Sequence, residues 1–140
     1  MSRPHTLRMI SFDQASLYPL TTDAQLQARA AQLVGRAVRR QLWIMLLDEN
    51  DVQLPILVPI DDLPPLPDTE LPFGYIVEST GASAVFVVLE RYGGEELTPA
   101  DRAWAKHVRE GCAAASVRLR GILLSHRRGV RWMAEDDYLY

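Results

Sequence analysis

Cysteine and lysine are nearly missing from this chain, and each shortage excludes something. The single cysteine, Cys112, rules out an intramolecular disulfide and a cysteine zinc cluster, so nothing demands an oxidising compartment. Lys106 is the one lysine, and Gly93-Gly94 lacks the lysine that a phosphate loop carries directly after its glycine. No apolar run approaches the roughly 20 residues of a membrane span, so no membrane partner is expected. Met1 to Ser11 lacks the apolar core of a signal peptide, and a cytoplasmic location is expected. The net charge of −3 gives no overall electrostatic case for nucleic acid, which is not an expected partner. The three histidines, His5, His107 and His126, show no ligand spacing, and no nucleophile-elbow pattern is present.

What is present is an ordinary globular composition. The 140 residues are 48% hydrophobic and 24% charged, enough for one domain whose core needs no staples. The basic residues other than Lys106 are all arginine, a bias that fits a GC-rich genome. Two local clusters stand out: Arg36, Arg39 and Arg40, and a C-terminal set of Arg118, Arg120, His126, Arg127, Arg128 and Arg131. Both read first as solvated basic faces, with phosphate or an acidic partner as the alternative.

Residues 1–21 have no clean period and read as an N-terminal extension, with a short strand at His5 to Phe12; residues 22–140 make one domain. Thr21 or Thr22 caps a helix expected from Ala24 to about Arg40, its stripe formed by Leu26, Ala30, Leu33, Val34 and Ala37. Leu42 to Leu47 is a continuous apolar run, the pattern of a strand covered on both faces. Asp48 to Asp51 turns the chain back into Val52 to Ile60, where Pro55 and Pro59 predict an edge strand or a bulge. Asp61 to Pro72 is a Pro-rich connector, and Phe73 to Gly81 a short helix entered from Asp68 or Thr69.

The central stretch is Ala84 to Asp101. Val85 to Leu89 predicts a buried strand. A Gly-Gly turn follows, then Thr98-Pro99-Ala100-Asp101, with Thr98 as N-cap, Pro99 at the first helical position and Asp101 in the first turn. This helix is expected to reach about Arg118, with Trp104, Val108, Cys112, Ala115 and Leu119 on one face, which makes Cys112 a core cysteine. The small residues Gly111 to Ser116 predict close packing of the helix on the sheet. Ile122 to Ser125 and Val130 to Met133 form a closing hairpin, and Asp136 to Tyr140 a tail. The sum is an α/β domain with a mixed sheet of about 5–6 strands and two main helices.

These residues carry a resemblance. Ser83 to Asp101 reads S-A-V-F-V-V-L-E-R-Y-G-G-E-E-L-T-P-A-D. Val108-Arg109-Glu110-Gly111, Val117-Arg118-Leu119, Trp132-Met133-Ala134-Glu135 and the earlier Leu46-Leu47-Asp48 add to it. From Gln41 onward the chain resembles the RadC-type branch of the JAB/MPN (JAMM) metalloprotease superfamily. That likeness implies a JAB/MPN-like (cytidine-deaminase-like, layered) fold and a bacterial setting. It also implies a site built on H-x-H-x7-S-x-x-D, with two histidines and an aspartate on zinc, a serine at the oxyanion and an upstream glutamate as general base. Hydrolytic zinc needs three protein ligands and an open position for water. Mapped without gaps, the histidine positions are Val88 and Glu90, the serine position is Thr98 and the aspartate position is Asp101; the glutamate falls in the apolar stretch Pro55 to Val58.

The resemblance therefore implies a degenerate metal site, with no metal or cofactor expected and no catalytic residue assigned. The first functional reading is a non-catalytic JAB/MPN-like module acting through protein contact, self-association or structure. The alternative is a repurposed ligand- or ion-binding site, or a hydrolase, around Glu90, Thr98 and Asp101, with Tyr92 lining the pocket. Glu90 and Asp101 as oxygen ligands would suit a hard cation; the plainer reading makes Glu90 a loop charge and Asp101 a helix-start acid.

Overall fold

A computed structural model describes residues 10–11, 19–61, 63–67 and 73–134. They form strands β1 (Ile10–Ser11), β2 (Gln41–Leu47), β3 (Gln53–Ile60), β4 (Ala84–Glu90), β5 (Arg118–His126) and β6 (Gly129–Met133), and helices α1 (Asp23–Leu33), α2 (Phe73–Ser79) and α3 (Pro99–Ala114). The strands make one mixed sheet in the order β1-β3-β2-β4-β5-β6. Only β4 and β5 run parallel, and a parallel pair needs a long crossover, which α3 supplies. The domain is thus α/β with a six-stranded mixed sheet. No helix among the described residues is long and apolar enough to cross a membrane.

The continuous apolar runs of β2 and β4 are covered on both faces. Along β4, Val85, Val87 and Leu89 point into a core with Phe73, Ile76, Trp104, Val108 and Cys112 of α2 and α3. Ala84, Phe86 and Val88 point the other way, against Leu26 and Ala30 of α1. This is the period-2 alternation of a strand with cores on both sides. Every residue of β4 is buried, and each large apolar side chain so covered contributes about 1.5–3 kcal/mol.

Several boundaries differ from expectation, each for a local reason. α1 stops at Leu33 rather than near Arg40 because Gly35 takes a left-handed φ of 70° and its amide donates to Ala30 O at 3.3 Å. α3 ends at Ala114, short of Arg118: Ser116 is left-handed at φ 57°, and Arg118 already pairs with Ala84 in the sheet. β3 is not the outermost strand, since β1 pairs with it at Ile56 and Leu57; Pro55 and Pro59 bracket those two residues. The predicted irregularity is present, between Met45 and Leu47 opposite β3. Gly111 meets α2 rather than the sheet: a Cβ there would lie 2.8 Å from Phe73 Cδ1 and 3.2 Å from Gly74 N. The rest of the strand expected at His5 to Phe12, the α2 caps Asp68 and Thr69, and the tail lie outside the described residues.

Candidate functional site

The site positions gather where β4 ends, at the carboxyl edge of the parallel pair β4–β5. In open α/β sheets ligands bind in the crevice outside the carboxyl ends of the strands. Here that edge is crossed by the segment that leaves α1. Ala37 N donates to His126 O at 3.0 Å and Ser125 Oγ to Gly35 O at 2.6 Å, which fastens residues 35–40 over β5.

Glu90 is a buried end-of-strand residue, 1% exposed, not a loop charge. Its Oε2 accepts from the amides of Val38 and Arg39 at 2.7 and 3.0 Å, and its Oε1 from Gln41 Nε2 and Trp43 Nε1 at 2.8 and 2.9 Å. Val88, two residues earlier on the same face, is fully buried in the core with α1.

Thr98 and Asp101 do what a helix start asks of them. Thr98 Oγ1 accepts from Asp101 N at 3.1 Å, and Asp101 Oδ2 accepts from Thr98 N at 2.9 Å, a reciprocal capping box. Asp101 also holds a buried partner that sequence reasoning passed over. Arg91 donates through Nε to Oδ1 and Oδ2 at 3.1 and 3.2 Å and through Nη2 to Oδ2 at 2.7 Å. Both side chains are nearly inaccessible, at 4% and 1%. Burial on its own would raise the Asp101 pKa; the hydrogen bonds from Arg91 and Thr98 outweigh it and hold the carboxyl below its ordinary value.

The same guanidinium organises the loop that follows. Arg91 Nη1 donates to Tyr92 O and Gly94 O at 3.2 and 2.6 Å, and Nη2 to Glu96 O at 2.9 Å. Arg127 N reaches Gly93 O at 2.9 Å and Arg131 Nη1 reaches Glu95 O at 3.0 Å. Five consecutive carbonyls, 92 to 96, are therefore bound by arginine residues. Tyr92 itself is 70% exposed, its hydroxyl donating to Val38 O.

The structure does not bring Glu90 and Asp101 to one ligand. Glu90 faces the α1 side with its two oxygens engaged; Asp101 starts α3 on the other side, committed to Arg91 and Thr98. Among the described residues no group of three or more His, Cys, Asp or Glu could hold a metal ion. His107 lies edge-on to Trp104 and Phe73, with ring centroids 5.6 and 6.5 Å away. Cys112 is a buried free thiol whose pKa burial pushes up to about 12, which removes it as a nucleophile.

A cleft of about 550 Å³ opens beside this network, lined by Arg40, Arg91, Thr98, His126, Arg127 and Arg128, with Glu95 and Glu96 also on its wall. His126 is buried at the end of β5, and its Nδ1 accepts from Arg128 N at 3.2 Å. Its pKa is lowered, first by burial; Glu95 pulls the other way, and Arg91, Arg131 and Arg128 each add a smaller lowering. Arg91 carried one sequence signal: an arginine two positions after the apolar run Val85 to Leu89, ten residues before a helix-start acid. Arg40 stood out in sequence only as a member of a basic cluster, and its neighbours in the cleft come from 51 or more positions further along the chain. No protein-family model matches this chain, and no curated protein matches it either.

Proposed function

We propose that this chain is a non-catalytic module of RadC-like, JAB/MPN type that acts in the cytoplasm through protein contact or as a structural unit. The observation that carries this reading is the fate of Asp101, the one metal-ligand position whose residue type matches the family pattern. Its carboxylate is fully engaged by a buried arginine and a helix cap. A guanidinium is a tethered cation, and beside Asp101 it takes the electrostatic role a bound metal ion would have. Val88 offers no donor atom, and Glu90 spends both oxygens on four hydrogen bonds. Hydrolytic zinc chemistry needs three ligands and an open position; none of these positions is free to supply them. The repurposed-site reading meets the same obstacle, because Glu90, Thr98 and Asp101 are all committed.

Contact surfaces lie elsewhere. Tyr75 on α2 and Leu66 in the connector are 71% and 59% exposed, large apolar side chains suited to a partner or a second copy. The expected outcome of titrating zinc while assaying peptide and isopeptide cleavage is no hydrolysis above the metal-free rate. Zinc-dependent cleavage that a chelator abolishes would overturn the proposal.

A further inference from the structure

Members of the two arginine clusters, far apart in the chain, meet at one end of the sheet. The hydrogen bond from Ala37 N to His126 O, 3.0 Å, sets the 35–40 segment against the β5–β6 turn. Arg40 comes from the first cluster and Arg127 and Arg128 from the second, and all three line the same cleft. Arg91 also lines it, but its charge is matched by Asp101. Arg40 has a further mark: its Nη1 is buried and has no hydrogen-bond partner. Buried guanidinium nitrogens are ordinarily bonded, and among the arginines of this cleft Arg40 is the one that leaves such a nitrogen unsatisfied.

We propose that this cleft binds the phosphate group of a small molecule, with Arg40 as the half-buried anchor and Arg127 and Arg128 closing over the oxyanion. Guanidinium forks match phosphate geometry bidentately, and three on separate segments can surround one group. The volume suits a small ligand rather than a polymer, since small-molecule pockets run to about 300–1,000 Å³. The acidic wall of Glu95 and Glu96 disfavours a nucleic-acid strand running along the cleft and offers acceptors to ligand hydroxyl or amine groups. The site lies at the carboxyl ends of parallel strands, where such folds place ligands. This inference is independent of the family resemblance, because none of its anchoring arginines stands at a position of the metal motif.

The test is calorimetric titration of the full chain with pyrophosphate at low ionic strength. Binding is expected, and Arg40→Gln should weaken it by about tenfold or more. The double variant R127Q/R128Q, on an exposed turn that leaves the core untouched, should weaken it as well. Arg109→Gln on α3, away from the cleft, should leave it unchanged. Absence of binding at millimolar pyrophosphate would overturn the proposal. So would unchanged affinity in both cleft variants, or an oligothymidylate that binds more tightly than pyrophosphate, which would mark a nucleic-acid surface instead.

Discussion

Glu90 and Arg91 are neighbours in sequence, opposite in charge type and equally buried, yet their surroundings differ in kind. The four donors to Glu90 are neutral: two backbone amides, a carboxamide and an indole. Arg91 has a counter-ion, Asp101, and completes its set with three carbonyls of its own loop. One site disperses its requirement over many modest bonds, while the other concentrates it in one ion pair. Removing one partner of a buried pair strands the other, whereas altering one acceptor among several neutral bonds leaves a smaller deficit.

Arg91→Met is the harshest way to break that comparison. It leaves Asp101 buried without its partner and frees three carbonyls, and a loss of about 3–5 kcal/mol is expected. Urea denaturation reads it; a loss below about 1 kcal/mol would place the pair in the class of surface ion pairs. Glu90→Gln should come second. The glutamine keeps one acceptor oxygen but turns an amide nitrogen toward donors, and unsatisfied groups of this kind cost about 1–3 kcal/mol. If this variant is as damaging as Arg91→Met, the contrast between the two sites fails.

Acid titration gives the smallest and most selective effect. Asp101 has a folded pKa below its ordinary 3.8, so its contribution is present above that value and is lost as pH falls through the folded pKa. His126 has a folded pKa below its ordinary 6.5. The unfolded chain therefore binds more protons just below that pH, and stability should rise with pH up to about 6.5 and then level off. Denaturation midpoints against pH should show two separate declines on acidification. His126→Gln should flatten the one that begins near 6.5 and leave the lower one in place.

What could be read from the sequence follows the range of the interactions. The start of α3 was legible in full, because Thr98 and Asp101 satisfy each other across one helical turn. The burial of β4 was equally plain from its five apolar residues. The role of Glu90 was not, since its donors lie 47 to 52 residues away, and nothing near position 90 announces them. The overlong α1 is a different kind of miss. Gly35 was a visible stop signal, but the apolar spacing of Val34 and Ala37 continued past it, and the glycine prevailed.

The loop from Tyr92 to Glu96 has one more consequence, for how its length can change. Exposed loops ordinarily accept inserted or deleted residues at little cost, because their backbone is solvated and their closure entropy grows slowly. Here each successive carbonyl is claimed by a fixed donor, from Arg91, held by Asp101 at the start of α3, to Arg127 and Arg131 in the closing hairpin. One added residue would shift the whole series out of step with those donors. Among relatives of this chain, the interval between Glu90 and Thr98 should therefore hold its length while the residues within it vary.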